Sequence, residues 1–254
     1  MWASNREHLI LAKLATNDRV DIESLSKEFG VSRETIRRDV IALEAQGKLR
    51  RLHGGIARPN SKAESPFEDR LKINAELKRR IALRAARLVQ PGMMIAIDAG
   101  TTTLAFATAI ANLPDIAVVT NSAEIARVMV TSRPGADIIL LGGRVSGDVP
   151  GSFGEITIAQ MCRFSPDLAV FSPVAISGAS GATDYHLVEA EFARILVERS
   201  RQTMVLADQS KLGSTSRVHV CDCRRIDTLV TDRTARDEDV RDLKAGGVRE
   251  VITD

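Results

Sequence analysis

The chain has 254 residues, 44% of them hydrophobic and 27% charged, with a formal net charge of +2. This is ordinary globular composition, and no apolar run approaches the roughly 20 residues that span a bilayer. Membrane insertion is thereby excluded, and the N-terminal "MWASNREHLI" lacks the apolar segment of a signal peptide, so a cytoplasmic location is expected.

The length suits a small module joined to one larger α/β domain. Its three cysteines, Cys162, Cys221 and Cys223, cannot build a disulfide framework and fit a reducing compartment. A zinc site made from "CDC" and Cys162 lacks a fourth ligand, so neither a metal nor a cofactor is expected.

In chain order, Leu9, Ile10 and Leu14 mark a first helix that ends in a turn-forming "TNDRVD". Asp21 is placed to cap a second helix, with Val20 able to staple onto Leu25, and Phe29-Gly30 terminates it. Ser32 caps a third helix, and Val31 can staple onto Ile36. Two helices joined by so short a connection form a helix-turn-helix.

In the third helix Ile36, Val40 and Leu43 share one face, which sends Glu34, Arg38 and Ala45 to the other, flanked by Thr35 and Arg37. Hydroxyls in the first turn and two adjacent arginines suit a helix inserted into a major groove. A mixed Arg/Glu/Asp face also serves solubility, and "RETIRRD" alone does not separate the two readings. The following "GKLRRLHGGIARP" adds weight to the first: Leu49 and Leu52 bracket two arginines, Gly54-Gly55 turns the chain, and Ile56 to Arg58 returns as the second strand of a hairpin. Such a basic hairpin behind a recognition helix is a wing, with His53 among its polar residues. Between Gly30 and Arg58 seven basic residues face three acidic ones, a local excess of positive charge of the kind that binds nucleic acid.

The stretch "LSKEFGVSRETIRRDVIALEAQGKLRRLHGGIA" resembles the N-terminal signature of DeoR-type bacterial transcription regulators, in which a winged helix-turn-helix binds operator DNA. The resemblance implies that Ser32, Arg33, Thr35, Arg37 and Arg38 contact DNA, assisted by Arg51 and His53 from the wing.

Residues 1–57 therefore read as the DNA-binding domain, 58–66 as a polar, proline-flanked linker, and 67–254 as an α/β domain. Within the last, "MMIAID", "DIAVVT", "DIILLGG", "DLAVFS", "TMVLAD" and "DTLVT" read as strands, separated by helices such as "TTTLAFATAIANL", "SAEIARVMV" and "VEAEFARILVERS". Such alternation predicts a mostly parallel sheet buried on both faces.

Ligands of these sheets bind beyond the carboxyl ends of the strands, here Asp98-Ala99-Gly100, Thr120-Asn121 and Gly142-Gly143. Gly100 permits close backbone approach, and Thr101, Thr102 and Thr103 open a helix whose free N–H groups attract an anion. Hydroxyls and backbone donors without a lysine in the loop suit a phosphate monoester. A threonine that only caps the helix is the plainer alternative. Lys211, just after a strand, can neutralise a phosphate or stand as an ordinary exposed lysine. Asp184 and Glu189, at a helix start, can bind sugar hydroxyls or merely cap the helix and complement its dipole.

"IDAGTTT", "VTNS", "LLGGRV", "GSFGE", "EAEFAR" and "LADQSKLG" are similar to the effector domain of DeoR-type regulators, whose fold is related to ribose-5-phosphate isomerase. The resemblance implies that the threonine loop and Lys211 hold a phosphate while Asp98, Asn121, Gly143 and the Glu189 region surround a sugar. It also implies a repressor of a sugar or polyol operon, with operator DNA and a phosphorylated sugar as its partners; a homo-oligomer is expected from the usual symmetry of operator binding.

Two enzyme readings compete. An isomerase needs a carboxylate to move a proton between carbons, yet Ser172-Pro173-Val174-Ala175 stands where many family members carry Gly-x-Asp-Gly. A sugar kinase would share "DAGTTT", but there the loop joins two strands, whereas here a helical pattern follows it. A ligand-free architectural DNA-binding protein would leave the strand-end loops without a purpose.

Overall fold

The computed structural model describes residues 3–17, 19–46, 48–52, 55–57, 66–145 and 149–254, and the chain divides into two compact units, Met1–Ser65 and Pro66–Asp254.

The first unit runs α1 (Ala3–Thr16), β1 (Arg19–Asp21), α2 (Ile22–Phe29), α3 (Arg33–Ala45), β2 (Arg50–Leu52) and β3 (Gly55–Ala57). Its helix ends follow from local chemistry. The Asp21 side chain accepts from the Ser24 N–H at 2.8 Å, and Ser32 Oγ accepts from the Thr35 N–H at 3.2 Å. Gly30 ends α2 in the left-handed region at φ 63°, a conformation that glycine enters without a steric penalty. Ile10, Leu14, Leu25, Ile36, Val40, Leu43, Leu49 and Ile56 close into one apolar cluster, against which Val20 and Val31 pack. Beside it Arg6 Nε and Nη2 donate to the two Asp39 oxygens at 2.7 and 3.0 Å, a bidentate pair that ties α1 to the buried side of α3.

The "TNDRVD" turn needs correction. Arg19–Asp21 forms β1, which pairs with β3 in the order β1-β3-β2. Three residues paired with a segment so distant in the chain leave no local periodicity to read.

The second unit opens with α4 (Phe67–Lys72) and α5 (Ala75–Ala86). Then follow β4 (Met94–Ile97), α6 (Thr101–Ile110), β5 (Ala117–Thr120), α7 (Ala123–Ser132), β6 (Asp137–Leu140), β7 (Arg144–Val145), β8 (Ser152–Phe153), α8 (Glu155–Met161) and β9 (Leu168–Phe171). The chain ends with β10 (Ala175–Ser177), β11 (Gly181–Asp184), α9 (Leu187–Arg199), β12 (Gln202–Leu206), β13 (Val218–Cys221), β14 (Thr228–Thr231), α10 (Asp237–Gly246) and β15 (Glu250–Thr253). Seven strands make one sheet in the order β15-β14-β12-β9-β4-β5-β6, and every neighbouring pair in it is parallel.

The period of two along each strand divides the core between the sheet's faces. Ile95, Ile97, Val118, Val170 and Met204 pack with Ile81, Phe106, Ile110, Ile125 and Met129 of α5, α6 and α7. Ala96, Val119 and Ala169 meet Met161, Phe192 and Leu196 of α8 and α9 on the other face. Phe171, Val205 and Leu229 extend that second face over Ala190, Val197 and Leu243.

Three features are absent from the sequence-based reading. β15 is a short edge strand, β7 and β8 form an antiparallel pair, and β10-β11-β13 form a separate antiparallel sheet beyond the end of β9. That sheet corrects Asp184, which is the last residue of β11 rather than a helix cap; His186 precedes α9, and its side chain makes no capping bond. Gly181, at φ 63°, marks this sheet, because a Cβ there would collide with the Cys221 carbonyl oxygen.

Candidate functional site

In the first unit, burial of Ile36, Asp39, Val40 and Leu43 leaves Arg33, Glu34, Arg37 and Arg38 exposed on the opposite side of α3. A groove between the start of α2 and this face is lined by Ile22, Glu23, Arg33, Glu34, Arg37 and Ile41 among others. Ser32 and Thr35 bring their hydroxyls within 2.9 Å of each other, so part of their hydrogen-bonding capacity goes to the cap. Arg33 Nη2 pairs with Glu23 of α2 at 2.8 Å, while Arg37 and Arg38 lie 3.8 and 4.0 Å from Glu34. The latter two separations exceed hydrogen-bond length, and pairs so exposed hold their arginines weakly.

Arg51 is held differently. Its backbone N–H donates to Glu44 Oε1 at 2.9 Å, and its guanidinium reaches the other oxygen of the same carboxylate. That backbone donor is the main reason the Glu44 carboxyl stays below the usual carboxylate range. Glu44 thus fastens the first wing strand to the last turn of α3, a role that sequence reasoning did not assign. His53 lies outside the described residues, as do residues 58–65 of the expected linker.

In the second unit, the candidate effector residues lie along the carboxyl edge of the parallel sheet. Gly100 precedes α6 and provides no capping side chain, so the first amides of the helix remain available to a ligand. A Cβ at this position would come 3.0 Å from Thr103 Oγ1. Thr101, Thr102 and Thr103 are buried. Thr103 Oγ1 donates to the Gly100 carbonyl at 3.0 Å, whereas the hydroxyls of Thr101 and Thr102 have no protein partner among the described residues.

Asn121 joins the next strand end to this loop. Its Oδ1 accepts from the Ala99 N–H at 2.8 Å, a donor shared with Asp98 Oδ1 at 2.7 Å. Ser152, which sequence reasoning did not single out, supports Asn121 from below: its N–H donates to the Asn121 carbonyl at 2.8 Å, and its Oγ bonds the Leu141 carbonyl. Gly143 belongs to the same edge, but the side on which it lacks a Cβ is filled by Thr157 and Phe153. Close packing therefore accounts for this glycine.

Asp98 is almost fully buried, and burial pushes its carboxyl well above the ordinary value near 3.8. The charges of Asp184 and Glu189 push it further, so residues distant in the chain converge here. Lys211 follows Asp208, which caps a single turn of 3-10 helix, and its Nζ donates to the Pro173 carbonyl at 2.6 Å. Beside Asp184, the Arg217 guanidinium stacks 3.4 Å from the Tyr185 ring centroid, a contact without any local sequence signal.

A pH dependence follows. An acid whose pKa is raised by folding favours the native state at low pH, and that contribution disappears as pH rises through the folded value. Asp98→Asn retains an acceptor for the Ala99 N–H and removes the titration. Denaturant unfolding of both proteins should show the variant gaining stability relative to the parent from pH 5 to pH 8; a constant difference would contradict the assigned environment.

Comparison with known families agrees with this two-part geometry. Residues 6–62 match the DeoR-like helix-turn-helix domain, and residues 73–233 match the DeoR C terminal sensor domain. The chain belongs to the DeoR family. This DeoR-family protein is 33% identical over 256 residues to the HTH-type transcriptional repressor GlcR of Bacillus subtilis (strain 168), with 100% of this chain and 98% of GlcR covered. It is 31% identical over 232 residues to the glycerol-3-phosphate regulon repressor of Escherichia coli (strain K12), covering 91% and 92% of the two chains. Among solved structures, ribose 5-phosphate isomerase A of Methanocaldococcus jannaschii shares 17% identity over 54% of each chain, with a TM-score of 0.41. That level of likeness assigns no activity to the DeoR-family protein.

Proposed function

We propose that this DeoR-family protein is a transcriptional repressor of a sugar or polyol operon, released from its operator by a phosphorylated sugar. The observation that carries the reading is the exposed Arg37/Arg38 face of α3, set opposite a closed apolar core and followed by the β2-β3 hairpin, which β1 extends to three strands. Ser32, Arg33 and Thr35 position the first turn against the phosphate backbone, Arg37 and Arg38 reach the groove, and Arg51 with His53 belongs to the wing. The named functions of GlcR and of the glycerol-3-phosphate regulon repressor support the same reading.

In the second unit, the first amides of α6 and the Thr101 and Thr102 hydroxyls receive the phosphate, and Lys211 supplies positive charge. Asp98, Asn121, Asp184 and Glu189 address sugar hydroxyls. We assign this unit to sensing rather than catalysis, because no carboxylate stands at Ser172–Ala175. Operator binding by a homo-oligomer, in the cytoplasm, completes the proposal; among the described residues no helix is long and apolar enough to cross a membrane.

An effector that binds the DNA-free arrangement more tightly shifts the population toward it, and bound DNA weakens effector binding by the same factor. Fluorescence anisotropy on DNA from the protein's own promoter region, at fixed salt, tests this with a panel of sugar phosphates and the unphosphorylated sugars. Release by one phosphorylated sugar alone is the expected result. Release by the parent sugar would refute the phosphate assignment, and conversion of the sugar phosphate during the titration would make the protein an enzyme.

A further inference from the structure

The exposed face of α3 carries a carboxylate where phosphate binding alone would disfavour one. Glu34 is the second residue of the helix, and its side chain is 64% exposed. Duplex DNA is a dense array of negative charge, so an acidic group on the docking face lowers affinity for every sequence alike. Glu34 is not withdrawn into the protein: its nearest cationic atoms, on Arg37 and Arg38, lie at 3.8 and 4.0 Å, beyond hydrogen-bond length. Arg33, by contrast, is paired at 2.8 Å with Glu23, although its side chain stays exposed. Glu34 thus stands on the face without a close cationic partner, beside Arg37 and Arg38, and Glu34, Arg33 and Arg37 line one open groove.

Major-groove chemistry selects a partner for that carboxylate. Among the base edges, cytosine N4 and adenine N6 carry amino donors. Adenine N6 stands beside the N7 lone pair, which repels a carboxylate, whereas cytosine presents no acceptor there. We infer that Glu34 reads a cytosine in the operator half-site through its exocyclic amino group and is a specificity-determining residue. Arg37 and Arg38 offset its charge until DNA is bound, then reach neighbouring guanine edges or phosphates. The inference rests on the DNA-binding reading above.

The test is selection of binding sites from a DNA pool with one randomised half-site, using the full chain and its Glu34→Gln variant. The parent should select C at one position by about tenfold over other bases, the usual scale for a single side chain reading one base. In the variant that preference should disappear or move to A, since an amide pairs with adenine N6 and N7, while preferences elsewhere persist. Affinity for non-cognate DNA should rise, because a negative charge has left the face. If both proteins select the same base at every position and differ only in uniform affinity, Glu34 is a charge modulator and the inference is overturned. If the parent selects no sequence, the DNA-binding reading itself fails, a result distinct from the previous one.

Discussion

Leu43→Ala is expected to abolish operator binding while leaving the second unit folded. Leu43 is fully buried among Ile10, Leu14, Leu25, Ile36, Val40, Leu49 and Ile56, and it lies on the α3 face opposite the arginines. Truncating a buried leucine costs about 2–5 kcal/mol when the surroundings cannot collapse into the space. A unit of this size has a core that supplies only about 3–5 kcal/mol of net stability, so one truncation removes most of it. Differential scanning calorimetry should show the transition of the first unit lowered or lost and that of the second unchanged, with anisotropy reporting no operator complex. Unaltered binding, or loss of both transitions together, would contradict an independent core in this unit.

The second expected result is a separation of the two functions by single substitutions. Arg38→Ala, at an exposed position, should weaken operator binding by about tenfold or more if the arginine reads a base. If it contacts only phosphate, the dependence of log affinity on log salt should fall by about one unit. In neither case should the concentration of sugar phosphate needed for a half-maximal response change. Thr102→Val keeps the side-chain volume at a buried site and removes the hydroxyl at the start of α6. It should leave operator affinity intact and raise the effector concentration required, or remove the response altogether. Isothermal titration with the sugar phosphate identified by anisotropy checks the second arm directly; unchanged binding by Thr102→Val would displace the phosphate from the α6 loop.

The residues differ in how far they reveal their own roles. Asp21, Ser32 and Gly30 act on N–H and C=O groups within a few positions, so helix ends are legible from the chain alone. The alternating strands and helices of the second unit are equally legible, because strands covered on both faces must be apolar throughout. The "DAGTTT" loop could likewise be placed at a strand end. Glu44 gave no such signal, since its role depends on where β2 passes α3, and Arg6 and Asp39 showed nothing of their pairing across the first unit.

Local pattern and composition by themselves determined the alternation of β4, β5, β6, β9, β12 and β14 with helices, the caps of α2 and α3, the exposed basic face of α3 and the parallel character of the larger sheet. These depend on interactions that recur every two to four residues. Tertiary structure alone decided that Arg19–Asp21 would join the wing, that Asp184 would end a strand rather than cap a helix, and that Asp98, Asp184 and Glu189 would meet. Gly143 likewise owes its form to Thr157 and Phe153. Each of these outcomes depends on a partner brought close by packing, and its energy comes from hydrogen bonding, shape and desolvation that have no counterpart along the linear chain.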